Sequence, residues 1–493
     1  MSIRDSPASQ PVEIELAYRV PLPLSTSTFF SPPTHSDGYP EVSSANSVNA
    51  LTSVNGSALP PTDGGFGAWS FLAAAFIVEA IVWGFPNSYG VFLDSYLQDP
   101  RFASQNRATS LLPLVGTLSS GMIYCSGGPV INPIIARYPH LRPKMMWIGA
   151  ILCCGTLLGA SYATKACINI FQLILLQGVL YAIGGSLLYL PCISYMSEWF
   201  VVRRGMANGI LFAGTSTGGL ILPLVLPPLI SNYGSSKTLR ILSIAIGVLL
   251  FPLIPLVKGR LSHTRTRVHG PSPRGAHDWT KNKSFCVFLA ANTLQGFAYF
   301  VPIVYLPTFA NSLRISRSNS AVTLSLLNGA SVVGRLSMGF LTDKVNPWIL
   351  ALSTLFTTSA TTFILWGVLS HSFAGLLAFG MLYGSVASGF TSLWTGFVRP
   401  VAKDDPELST KLYGYLLLTR GIGNVVSTPI SARLYSRVRN VTDAAHLEST
   451  GFDVGNGRFE TLIIYVGTCF AGAAGVAALG WAMDVRKGKG RQR

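Results

Sequence analysis

Charge is what this chain has least of. Acidic and basic residues make up 11% of its 493 residues, where a soluble chain carries about a quarter. That shortage excludes a large water-facing surface. Acids are the scarcer sign, 20 against 36 lysines and arginines, leaving a formal charge of +16. A nucleic-acid partner would need those cations on one soluble face, but they fall in short segments between apolar blocks, so no nucleic acid is expected. The seven cysteines lie within or beside the same blocks without metal-site spacing, and adjacent Cys153 and Cys154 face different sides of one helix. No nucleophile with a base, no phosphate-binding loop and no metal cluster can be read from the chain, so neither an enzyme nor a cofactor is expected.

What the sequence does hold is apolar length. Its apolar set makes up 49% of the chain, written in twelve blocks each long enough to cross about 30 Å of hydrocarbon as a helix. The blocks are 66–93, 108–134, 145–163, 168–196, 206–230, 240–257, 284–310, 320–341, 348–369, 373–397, 411–432 and 461–483. They predict an all-α transmembrane fold of two six-helix bundles, 63–257 and 284–484. Between them, 258–283 is a basic linker carrying Lys258, Arg260, Arg265, Arg267, Arg274, Lys281 and Lys283 against Asp278. Residues 1–62, rich in Ser, Pro, Thr and Asn, are expected to be a disordered tail, and 485–493 form a basic stub. The start lacks a basic segment followed by an apolar core, so the first helix is expected to serve as its own insertion signal. With both termini and the linker cytoplasmic, the inner loops and the C-terminus hold 21 Lys and Arg and the outer loops 11, the bias that orients such chains. The Asn440-Val441-Thr442 sequon then lies outside as the expected glycosylation acceptor.

Three strings add detail. Asp63-Gly64-Gly65-Phe66-Gly67-Ala68-Trp69 opens the first helix, with an acid near a helix N-terminus and aromatics at interface depth. Trp199-Phe200-Val201-Val202-Arg203-Arg204-Gly205-Met206-Ala207-Asn208-Gly209-Ile210-Leu211-Phe212-Ala213-Gly214 leads into the fifth. There Gly205, Gly209 and Ala213 share one face, followed by Gly214 and Gly218, so helices can approach backbone to backbone. Gly334-Arg335-Leu336-Ser337-Met338-Gly339-Phe340-Leu341-Thr342-Asp343-Lys344 ends the eighth.

Six plus six helices about a basic linker resembles the major facilitator superfamily, whose bundles rock about a midplane site. The first two strings are similar to D-G-G-[WY]-G-W and [YF]-F-x-x-R-R-x-x-A-x-G-x-x-x-A-G of its monocarboxylate porter family, and the Ser/Pro-rich tail looks like the fungal branch. The third resembles the superfamily's inner-gate signature G-x-L-x-D-[RK], in which the Asp pairs with a basic group or a neighbouring helix N-terminus. The resemblance covers 63–484 and implies gating roles for Gly339, Asp343, Lys344, Arg203 and Arg204. At the matching place after the second helix, Gly128 to Arg137, the acid is missing, so no charge switch is expected there.

A charged side chain at bilayer depth costs about 2.5–3.5 kcal/mol and needs a partner or a water-filled cavity. Arg335 lies about 12 Å of helix from Asp343, Arg420 nine residues beyond Lys411, and Glu79 some thirteen residues into the first helix. A guanidinium stays charged at physiological pH and grips two oxygens at once, so one or both arginines can meet an organic carboxylate. An ion pair of either arginine with Glu79 is the alternative. The resemblance favours Arg335, because animal monocarboxylate porters carry an essential arginine in the corresponding string R-P-S-M-G. Two departures accompany it: the lysine of their F-P-K-S string is Asn87 in Phe85-Pro86-Asn87-Ser88, and an aspartate four residues before the arginine is Ser331. Arg335, Asn87, Arg420 and Glu79 are therefore the expected substrate contacts, with Glu79 the remaining candidate proton carrier. Tyr89, Tyr189, Tyr299, Tyr305 and Trp394 are candidates for lining a cavity.

The expectation is a secondary transporter in the plasma membrane bilayer, moving a small or medium organic anion by alternating access, with protons as the candidate coupling ion. Fungal members of the family serve organic acid transport or export of acidic secondary metabolites, and the two departures lean towards export. A nontransporting nutrient sensor on the same scaffold is the rival of another class. The short basic C-terminus speaks against it.

Overall fold

A computed structural model describes residues 60–105, 107–166, 169–260, 278–402, 406–435 and 450–491, with no strand among them. The tail up to residue 59, most of the linker (261–277), Cys167 and the Asn440 sequon lie outside the described residues. Apolar segments become helices in this setting because hydrocarbon offers a backbone amide no partner except another part of the chain. They are α1 Gly65–Gln98, α2 Ala108–Ser126, α3 Arg142–Ala166, α4 Ile170–Trp199, α5 (204–233), α6 (235–253), α7 Lys283–Ser312, α8 Arg317–Thr342, α9 Pro347–His371, α10 Phe373–Ala402, α11 Pro406–Tyr435 and α12 Glu460–Arg491.

Ten described helices are long and apolar enough to cross a membrane, and the difference from twelve has two physical causes. Arg204–Leu253 runs as one 50-residue element but breaks at Gly234, whose φ of 75° and ψ of 164° suit glycine. The arms on either side, α5 and α6, pack on different neighbours: Gly218 of α5 meets Gly84 of α1, whereas Ser243 of α6 donates to the Cys154 carbonyl of α3 at 2.8 Å. The other cause is α11, where Lys411, Arg420 and Arg433 dilute the apolar content.

Side-chain caps set where the second-half helices begin. Asn282, Ser316, Asn346 and Ser372 accept N–H bonds from Phe285, Asn319, Trp348 and Gly375, respectively, each satisfying a donor that a helix start leaves unpaired. Asp63 does something different from capping α1. Its carboxylate accepts the N–H groups of Val201, Val202 and Arg203 at 2.8–3.2 Å and so ties the α4–α5 connection to the start of α1.

The packing repeats with a shift of six helices. In the first half α1 lies on α5, α3 on α6 and α4, and α2 on α4; in the second, α7 lies on α11, α9 on α12 and α10, and α8 on α10. Between the halves α5 meets α8 and α11 meets α2, with α1 against α7. That is the pseudo-two-fold relation expected of the fold, and it brings α1, α5, α7, α8 and α11 to the midline. Side chains such as Ile151, Phe171, Val248 and Phe356 point away from the bundles and are exposed, which makes the lipid-facing surface.

Candidate functional site

Arg335 projects from α8 towards the midline rather than into lipid, and 4% of it is exposed. Its Nη1 donates to the Phe212 carbonyl and to Thr215 Oγ1 on α5, and its Nη2 donates to the Tyr299 hydroxyl on α7 at 3.1 Å. An arginine of the second half is thus held by the first half. Arg420, fully buried on α11, donates to Gln295 Oε1 on α7. Its guanidinium carbon lies 4.4 Å from the Tyr299 ring centroid, 5.6 Å from that of Tyr124 and 6.0 Å from that of Trp394, within cation–π range. Tyr299 therefore separates the two cations, its hydroxyl on one and its ring under the other.

Glu79, fully buried on α1, completes the charged set. Arg335 and the Trp83 indole N–H act on it, yet neither carboxyl oxygen makes a close hydrogen bond and no ion pair joins it to either arginine. Asn87 sits one step back. It donates to the Thr215 carbonyl at 2.7 Å and braces the residue whose hydroxyl holds Arg335.

Aromatic rings wall this cluster. Trp83 packs on Tyr124 at 4.7 Å, on Tyr189 at 5.7 Å and, stacked, on Phe300 at 6.3 Å. Of the five aromatic candidates, Tyr189, Tyr299 and Trp394 join the cluster. Tyr89 does not, because its hydroxyl bonds the Leu112 carbonyl, and Tyr305 packs on Tyr435 instead. Thr215, Gln295, Tyr124 and Trp83 were not singled out from the sequence. They are ordinary helix residues there, and only the crossing of α1, α2, α5 and α7 brings them together.

Both ends of the interface are bridged. At the end near the chain termini, Asp343 accepts the Met206 N–H at 3.2 Å at the start of α5. Arg204 donates to Ser409 Oγ at 2.5 Å, and Asn208 donates to Thr395 and Tyr413. Gly209 and Gly339 put the α5 and α8 backbones in contact. Two of the expected gating residues stay out of this bridge. The Arg203 side chain is exposed, and Lys344 lies over the Phe340 ring of its own helix at 4.0 Å. At the opposite end, Asn311 of α7 donates to Asp94 of α1 at 3.0 Å and Arg317 of α8 donates to Gln98. That second closure was not read from the sequence, although a lone acid near the end of α1 was its signal.

Two bundles that meet around a buried polar cluster are the arrangement of a membrane transporter. The chain belongs to the major facilitator superfamily, whose family model matches residues 72–428. It is 29% identical over 397 residues to the MFS-type transporter hasB of Aspergillus fumigatus, covering 77% of this chain and 85% of that protein. It is 26% identical to the aspyridones efflux protein apdF of Emericella nidulans, covering 76% and 73%. Identity to monocarboxylate transporter 10 of Mus musculus is 28%, covering 80% and 78%. The solved nucleoside transporter NupG matches with a TM-score of 0.58 at 14% identity, over 85% of this chain and 99% of that one; this is a likeness of fold. The matches bear out the superfamily and its monocarboxylate-porter-like branch. The protein is a multi-pass membrane transporter and not an enzyme.

Proposed function

We propose that the protein carries a small or medium organic anion by alternating access, with Arg335 as the principal contact. The observation that supports this reading is a pair of buried guanidiniums, on either side of Tyr299, neither of which has a carboxylate partner. A cation buried without a counter-charge is costly. An arriving carboxylate supplies that charge and replaces the neutral acceptors Phe212, Thr215 and Tyr299 with two charge-assisted bonds.

Glu79 is the candidate for the coupling proton. Its protonation removes the one negative charge that competes with the cargo for Arg335, so proton and anion bind cooperatively. The direction we favour is outward, since relatives include a named efflux protein and Asn87 and Ser331 replace the titratable pair of the animal porters. The positive-inside bias supports cytoplasmic termini, and the plasma membrane is the proposed location.

Exchange of labelled benzoate in proteoliposomes of the purified protein tests the reading. A buried charge pair broken at one partner costs about 2 kcal/mol or more, so Arg335→Gln should lower kcat/KM at least about 30-fold in protein that still folds. Flux at the wild-type rate in Arg335→Gln sinks the proposal.

A further inference from the structure

The site holds more buried hydrogen-bond donors than its own residues can satisfy. Arg335 Nε and Trp394 Nε1 lack a partner, and of the Arg420 nitrogens only Nη1 makes a close hydrogen bond, although buried polar groups in folded proteins are nearly always paired. Beside them neither oxygen of Glu79 makes a close hydrogen bond, the Trp83 indole N–H being its loose partner. Charge shows the same imbalance, with two fixed cations against one carboxyl group. A monocarboxylate small enough to fit one guanidinium leaves the other unmatched across the Tyr299 ring. Rings surround the cations: Trp83 packs on Tyr124, Tyr189 and Phe300, and Tyr299, Tyr124 and Trp394 lie around Arg420. Ring faces favour flat, conjugated partners over saturated ones of equal size.

Resting on the transport reading above, we propose that the cargo is a flat, conjugated organic acid with two anionic oxygen groups, one meeting Arg335 and the other Arg420, with the rings of Trp83 and Tyr124 packed on its plane. Arg420 is then the residue that selects diacids over monoacids.

The probes are benzoate, isophthalate and cyclohexane-1,3-dicarboxylate, compared in proteoliposome exchange with the full-length protein. Isophthalate should exceed each of the other two at least tenfold in kcat/KM. Arg420→Gln should lower isophthalate exchange at least 30-fold and benzoate exchange no more than 5-fold, and Arg420→Lys should recover part of the preference. The shift in melting temperature on adding each acid to purified protein gives a readout independent of flux, and isophthalate should raise it most. The proposal is overturned if the wild type prefers benzoate, if the saturated diacid does as well as isophthalate, or if Arg420→Gln lowers both aromatic acids equally. Those results leave the transport reading standing. An Arg335→Gln variant that still moves benzoate, or a wild type that moves no anion, instead removes the transport reading and this one with it.

Discussion

Gly209→Ala should open the terminus-side end of the interface. A methyl group built at Gly209 would lie 2.9 Å from the Arg335 carbonyl oxygen and 3.1 Å from Gly339 Cα. Both are backbone atoms and cannot rotate aside, so relief to ordinary contact requires α5 and α8 to move apart. Overpacking of this kind costs about 1–3 kcal/mol. In a rigid protein that cost appears as lost stability, but α5 and α8 belong to different halves, and opening this end removes it. The equilibrium should therefore shift towards the open form about 5- to 150-fold. Ser409, fully buried and bonded to Arg204, is a reporter position. Ser409→Cys in a background without the native cysteines should react faster with a membrane-impermeant maleimide by that factor once Gly209→Ala is added. Gly214→Ala is the control, since its methyl would meet the Phe76 carbonyl oxygen and, at 3.1 Å, Glu79 Cβ, both on α1 of the same half. It should lower thermal stability and leave labelling unchanged. Parent-rate labelling in a folded Gly209→Ala variant, or equal acceleration by Gly214→Ala, refutes the reasoning.

Two further predictions concern protons. Burial lifts the Asp343 carboxyl above its ordinary value of 3.8, against the Met206 and Gly205 N–H groups and the Arg399 charge, which pull it down. In the open form this carboxyl returns to water, so the closed form binds the proton more tightly. The penalty on closure is complete above the raised value and gone below 3.8, so acidification through that window favours closure. Asp343→Asn keeps an acceptor for the α5 amides and should abolish this pH response of Ser409→Cys labelling once the rate is divided by that of an always-exposed cysteine, which corrects for thiolate fraction, while Asp343→Leu should open the end at every pH. A pH response of that ratio that survives in Asp343→Asn contradicts the assignment. Glu79→Gln should leave anion exchange running but free of pH dependence, and a wild-type pH profile in that variant removes Glu79 as proton carrier.

The helices and the charged residues of the site were legible in the sequence for one reason: hydrocarbon makes apolar length and intramembrane charge stand out against their surroundings. The partners of those charges were not legible. Thr215 and Gln295 qualify through tertiary crossings, and although Tyr299 was a candidate, periodicity cannot tell a ring that faces the midline from one that packs within its own half. Tyr189 and Tyr305 look alike in the sequence and end in different places for that reason. The small-residue face of α5 is a similar case. Gly209 serves the contact with α8, between halves, whereas Gly214 and Gly218 serve α1, within one half; the spacing alone shows a single run of small residues.

The missing acid after the second helix has a consequence visible only in three dimensions. Asn132 stands four residues after Gly128, as Asp343 stands four after Gly339, and the pseudo-two-fold relation places them at equivalent interfaces, α2 on α11 and α8 on α5. A carboxylate can only accept, so Asp343 takes the N–H of Met206 at the start of α5. An amide can donate, and Asn132 Nδ2 donates to the Thr410 carbonyl near the start of α11 at 3.4 Å. Replacing the acid has therefore kept the bridge and reversed its hydrogen bond. Because Asn132 does not titrate, this bridge carries no proton response of its own, and of the two equivalent bridges Asp343 supplies the titrating one.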